Sequence, residues 1–126
     1  MIKIKRVYEE YDVADGTRVL VDRLWPRGVR RASPKVDIWM RDVAPSSELR
    51  KWFSHDPGKW QEFKKRYLKE LSENDALGKL IELVRTNSVL TLIYAARDEQ
   101  HNDAMVLKSL LEKRLIVKRG MDSKAN

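Results

Sequence analysis

Cysteine is absent from the chain. Its absence removes disulfides, thiolate catalysis, cysteine-based zinc sites and iron–sulfur clusters, and it agrees with a reducing compartment. Histidine occurs only twice, too rarely for a three-histidine zinc site. The five glycines stand at 16, 28, 58, 78 and 120, and their surroundings match neither a P-loop nor a dinucleotide-binding fingerprint. No Gly-x-Ser-x-Gly elbow occurs. No apolar run approaches a membrane span, and the opening "MIKIKRVYEE" has no secretory apolar core. The expectation is a soluble cytoplasmic protein with no metal, no cofactor and no membrane partner.

Charge is what the chain has in abundance. Asp, Glu, Lys and Arg make up 36% of the 126 residues, and the formal net charge is +7. That surplus favours acidic partners such as phosphate compounds or nucleic acid, although a basic surface can also serve solubility alone. The length and the 42% hydrophobic share are those of one domain with a single core.

"IKIKRVY", residues 2–8, alternates apolar and basic side chains as a half-buried strand does. "ADGT" at 14–17 is a turn, and "RVLVD" at 18–22 a second strand that Trp25-Pro26 ends. Residues 26–45 read as a long irregular loop, a length that marks function or disorder, and Trp25 and Trp39 argue against disorder. A first helix opens at Pro45 or Ser46. Asp56-Pro57 opens a second, with Trp60, Phe63, Tyr67 and Leu71 on one face. Ser72 and Asp75 resemble a capping box for a third, with Leu77, Leu80, Ile81 and Val84 inward.

"SVLTLIYAA", 88–96, reads as a buried central strand. The loop "RDEQ" leads to a helix over about 101–113 with Ala104, Leu107 and Leu111 on one face. "RLIVK", 114–118, reads as a short last strand, and 119–126 as a flexible tail. The prediction is one α/β domain over 1–118, a mostly parallel short sheet with helices on both faces. Ligands of such sheets bind beyond the carboxyl ends of the strands. That rule brings residues 22–28 and 97–102 together, with the positive end of a helix nearby to favour an anion.

"VDRLWPRG", "DIWMRDVAPSSELRKWFSHDP", "RYLKEL" and "LIYAARDEQHNDAMVL" together closely resemble the YeaO-like branch of the family catalogued as domain of unknown function 488, from about Ile2 to Val117. The resemblance implies a compact α/β protein of prokaryotes and names no reaction. It also implies motif positions at Asp22, Arg23, Trp25, Pro26, Arg27, Gly28, Trp39, Arg50, Trp52, Phe53, His55, Asp98, His101 and Asn102, all of which this chain has.

Arg23 and Arg27 are the leading anion-binding candidates, because guanidinium forks take phosphate or carboxylate in bidentate fashion. Their alternative is structural pairing with Asp22, Asp37 or Asp42; Arg30 and Arg31 read as a solvated rim. Trp25 can stack on a base, and Gly28 and Asn102 complete the ligand set. Asp22 can act as a base or orient a hydroxyl, against a buried salt bridge to Arg23 or Arg50. Asp98 and His101 can move a proton near neutral pH, against a helix cap and a satisfied polar residue. Trp52, Phe53 and Trp60 read as core, and Ser54-His55-Asp56 as a helix cap before Pro57.

The function expected from these residues is a pocket for a small phosphorylated or nucleotide-like anion, with hydrolase or transferase chemistry as one form of it. The alternatives are a nucleic-acid-binding module, supported by five Lys or Arg against one Asp in 113–126, and a protein-interaction domain. Oligomeric state is not legible.

Overall fold

The computed structural model describes residues 1–125, with side chains through residue 115. A four-stranded, all-parallel sheet lies at its centre, in the order β1-β4-β2-β3. The strands are β1 (Ile2–Arg6), β2 (Thr17–Leu20), β3 (Ile38–Trp39) and β4 (Leu90–Tyr94). The helices are α1 (Ser47–Phe53), α2 (Trp60–Ser72), α3 (Ala76–Thr86) and α4 (Asp103–Ala125). Among the described residues no helix is long and apolar enough to cross a membrane.

β4 is the central strand that its apolar run predicts, and all five of its residues are buried. Its alternation sorts the sheet into two unlike faces. Leu90, Leu92 and Tyr94 join Ile2 and Val19 in one core, which takes Leu49 and Phe53 of α1, Phe63, Tyr67 and Leu71 of α2, and Leu80 and Leu107 of α3 and α4. Thr91 and Ile93 face the other way. There Val7, Leu20 and Ile93 are covered by Trp25, Val29, Val36 and Trp39 of the segment after β2.

The expectation of helices on both faces is therefore corrected. All four helices pack their apolar residues on one face, because the links β1–β2 and β2–β3 carry no α-helix. The second face is partly polar. Arg18 is fully buried in it, paired with Asp15, and its Nε donates to the Lys35 carbonyl at 2.7 Å. Asp37 accepts the Arg18 N–H at 2.8 Å, so the long loop is fastened along β2. Burial pushes the Asp15 carboxyl up, but the Lys5 hydrogen bond and the Lys5 and Arg18 charges outweigh it and hold the group below its usual value.

The loop is less irregular than expected. It contains β3, paired with β2 at Val19–Ile38 and Leu20–Trp39, and a 3-10 turn at Arg41–Val43. Ser46 caps α1 by accepting from the Leu49 N–H at 3.1 Å, and Asp56 with Pro57 opens the turn into α2, both as predicted. The capping box predicted for α3 does not form. Ser72 remains inside α2, Asp75 makes no side-chain cap, and Asn74 Oδ1 accepts the Ala76 N–H instead.

The strand expected at 114–118 is also corrected, since α4 continues through it. Its apolar residues follow directly on a helix with no Gly or Pro between to stop it. The backbone of α4 runs on to Ala125 through most of the predicted tail, while the tail's side chains and Asn126 lie outside the described residues.

Candidate functional site

A cavity of about 780 Å³ opens beyond the carboxyl ends of β1, β4 and β2. Three chain segments supply most of its walls: 22–27 after β2, 95–103 after β4, and the stretch from Ala44 through α1 to His55. Parallel strands all point their ends at this edge, which is why loops distant in sequence meet there. Tyr8, just past β1, closes one side, and its hydroxyl donates to the Arg27 carbonyl at 2.9 Å.

Seven of the eight predicted site residues line this cavity: Asp22, Arg23, Trp25, Arg27, Asp98, His101 and Asn102. Gly28 does not. It takes a left-handed φ of +76° at an exposed turn, with open space where a Cβ would stand. The lining also holds Arg50, His55, Arg97 and Asp103.

Two carboxyls meet at the inner end. Asp22 and Asp103 both line the cavity there, and each carboxyl acts on the titration of the other. The Ala95 N–H donates to Asp22 Oδ2 at 2.9 Å, and the Ala104 N–H donates to Asp103 Oδ1 at 2.8 Å. Both are half-open to the cavity yet closely surrounded by protein. Burial raises the Asp22 carboxyl above its usual value, against the pull of Asp103, the Ala95 amide, His55 and Arg50. Burial and the Asp22 charge together raise Asp103 well above its usual value. Two neighbouring carboxyls oppose each other's ionisation, so the pair holds a proton more tightly than either would alone.

Arginines surround the acid pair without forming ion pairs with it. Arg23 donates from Nε to the Pro45 carbonyl at 3.1 Å and from Nη2 to the Ala44 carbonyl at 3.4 Å. This ties 44–45 to the strand end and leaves Nη1 unengaged among the described residues. Neither the expected anion fork nor a salt bridge to Asp22 accounts for these two bonds. Arg50 Nε is buried and has no hydrogen-bond partner among the described residues. Arg27 and Arg97 are exposed at the mouth.

Asp98 organises the loop after β4. Its Oδ1 accepts the Gln100 N–H at 2.9 Å and the His101 N–H at 3.0 Å, and its Oδ2 meets His101 Nδ1 at 2.8 Å. The Gln100 amide and the His101 ring hold the Asp98 carboxyl below its usual value. Across the cavity edge, the His101 ring stands against Trp60, at 5.2 Å and nearly perpendicular. Asn102 is buried; its Nδ2 donates to the Asp98 carbonyl at 2.9 Å and its Oδ1 accepts the Met105 N–H at 3.0 Å. Asn102 thus caps α4, and both of its polar ends are already engaged.

Trp25 lines the cavity with part of its ring only. Its Nε1 donates to the Val29 carbonyl, and its ring packs edge-on against Trp39 at 5.4 Å with Arg31 at 4.7 Å over it. Phe53 is core as predicted, whereas Trp52 and Trp60 are only half-buried. The Arg66 guanidinium lies 4.2 Å and the Lys59 ammonium 5.1 Å from the Trp52 ring centre, so cationic heads stand over the ring.

The predicted capping of the turn before Pro57 holds for Asp56, but Ser54 and His55 both adopt positive φ, at 47° and 56°. Non-glycine residues take that conformation at a cost, and here it carries His55 to the cavity wall. The predicted site did not include Asp103. Its signal was available in "HND": an acid at the first position of a helix that starts at the carboxyl edge of a parallel sheet.

The whole chain, residues 1–126, matches the family described as the inactive DUF488-N3 subclade. It is 46% identical over 113 residues to an uncharacterised protein of Mycobacterium tuberculosis (strain ATCC 25618 / H37Rv), covering 90% of this chain and 95% of that protein. It is 39% identical over 110 residues to the uncharacterised protein YeaO of Escherichia coli (strain K12), covering 87% and 96%. No solved structure matches it. With a family match from end to end and relatives aligned over nearly their full length, the chain belongs to the DUF488 family, within its inactive N3 subclade.

Proposed function

We propose that the cavity at the carboxyl edge of the sheet binds a small anionic ligand, phosphorylated or nucleotide-like. The observation that carries this reading is the gathering of Arg23, Arg27, Arg50 and Arg97 from separate segments around one cavity of about 780 Å³. That volume is within the usual range for small-molecule sites. The buried Nε of Arg50 adds a donor that no group among the described residues uses.

Binding is favoured over turnover on two grounds. The subclade is described as inactive. Asp98 and His101, the expected proton-moving pair, bond to each other and to backbone amides in a turn that positions the start of α4. Hydrolase or transferase chemistry at Asp22 is the less supported form of the same reading. A nucleic-acid surface is the second reading, favoured by the basic and aromatic face where Lys59, Lys64 and Arg66 surround Trp52 and Trp60.

Thermal shifts separate these readings, because a ligand that binds only the folded state stabilises it by mass action. The wild type and the double variant Arg27→Ala/Arg97→Ala are titrated with nucleotides, sugar phosphates and short oligonucleotides at low and moderate salt. Both arginines are exposed, so the variant is expected to fold normally. A shift from a small phosphate compound that survives salt and weakens in the variant supports the cavity. Shifts from oligonucleotides alone, fading with salt, transfer the assignment to nucleic acid. No shift from any of them overturns both.

A further inference from the structure

We infer that the ligand carries a vicinal diol as well as an anionic group, with the diol seated on the Asp22–Asp103 pair and the anion on the arginines of the cavity wall. This deepens the anion-binding reading and rests on it. The pair and the arginines line the same cavity but make no ion pair with each other among the described residues. A single anionic group cannot satisfy both parts of such a site. At the inner end, a phosphate would face two carboxyls, acceptor groups that repel it. A group with hydroxyl donors fits that place, since a carboxylate accepts O–H donors on its free lone pairs.

The backbone fixes the pair for that task. One oxygen of each carboxyl is held by an amide, from Ala95 at 2.9 Å and from Ala104 at 2.8 Å. The remaining oxygens, Asp22 Oδ1 and Asp103 Oδ2, take no N–H among the described residues, so the two carboxyls present free oxygens to the cavity. Two adjacent hydroxyls match that pattern, each able to give and take a hydrogen bond. The start of α4, which would otherwise draw an anion, already holds the Asp103 carboxyl. The ligand's own charge is therefore directed away from the helix, toward Arg23, Arg27 and Arg97. Arg50, near Asp22 with its Nε unpartnered among the described residues, stands ready to bond a ligand oxygen between the two ends.

A bound cation in place of the diol fits less well. Arg50 and His55 already bring positive charge to Asp22. No group of three or more His, Cys, Asp and Glu among the described residues is arranged to hold a metal ion.

The test is calorimetric titration of the wild type with ribose 5-phosphate, 2-deoxyribose 5-phosphate and inorganic phosphate. Removing one hydroxyl that bonds a charged carboxylate is expected to weaken binding about tenfold or more. The preference for ribose should disappear in Asp22→Asn and in Asp103→Asn, with circular dichroism confirming that each variant is folded. Equal binding of the two sugar phosphates by the wild type overturns the diol assignment and leaves the anion site standing, and this arm needs no variant. Failure of all three probes to bind, alongside a negative nucleotide screen, overturns the anion site and the diol assignment with it.

Discussion

Asp103→Asn should make this protein more stable, and increasingly so as pH rises. In the wild type the Asp22–Asp103 pair keeps a proton that the unfolded chain gives up above about pH 4. The folded state then binds more protons than the unfolded one, so stability falls as pH rises through the interval from the ordinary carboxyl value to the raised folded value. Below that interval both states are protonated and the penalty vanishes. Above it the penalty is constant. For one proton the limiting slope is about 1.4 kcal/mol per pH unit. Asn keeps the shape, removes the titration, and can donate to an ionised Asp22.

The competing effect is smaller. Asp103 sits in the first turn of α4, where a charged carboxylate is worth about 0.3–1 kcal/mol to a helix. A carboxyl raised well above its usual value supplies less of that charge. Because burial and the Asp22 charge raise Asp103 well above its usual value, the variant's advantage should grow as pH rises from 4 to 8, no faster than that limiting slope. With a urea m-value of about 2 kcal/mol/M, each gain of about 1 kcal/mol moves the midpoint by about 0.5 M. Urea unfolding of both proteins at several pH values reads it directly, and the difference cancels titrations that the two share, such as those of Asp15 and Asp98. A difference that stays constant with pH, or a variant that loses ground at pH 8, would refute the retained proton.

Two further changes probe the frame around the site. Tyr67 is fully buried and its hydroxyl donates to the carbonyl of buried Val43, immediately before the carbonyls that hold Arg23; Tyr67→Phe should cost about 1–3 kcal/mol and speed amide exchange at 43–45, and an unchanged urea midpoint would count against that strut. Gly16 turns the chain into β2 at φ 64°, and a Cβ there would run into the Val89 carbonyl; Gly16→Ala should cost about 1–3 kcal/mol from the backbone alone, read as a lowered melting temperature, and a neutral result would mean that the turn relaxes freely.

The central strand, the apolar faces of α2 and α4, and the caps at Ser46 and Asp56 were all legible, because each depends on a few neighbouring residues. The errors came where distant parts decide. Residues 114–118 have a strand's composition, yet they extend a helix already under way, and nothing in the local sequence stops it. β3 is only two residues long and exists because β2 offers it an edge, so no period could reveal it. The second face of the sheet is closed by a loop rather than a helix, since Arg18, Asp15 and Asp37 fasten that loop with polar contacts invisible in an apolar pattern.

The candidate site divides in the same way. The rule that parallel strands gather their following loops at one edge was enough to unite Asp22, Arg23 and Arg27 with Asp98 and His101. It could not assign their bonds. Asn102 and Asp98 shape the turn, Arg23 holds the backbone of 44–45, and Trp25 leans on Trp39, so four of the residues expected to meet a ligand also serve the walls. Asp22 and Asp103 differ from these. An acid pair raised by its own burial lowers the stability of the fold, and well-packed apolar residues in its place would remove that cost. A group that weakens the fold where it stands, at the inner end of an open cavity, is better explained by what it binds than by what it supports.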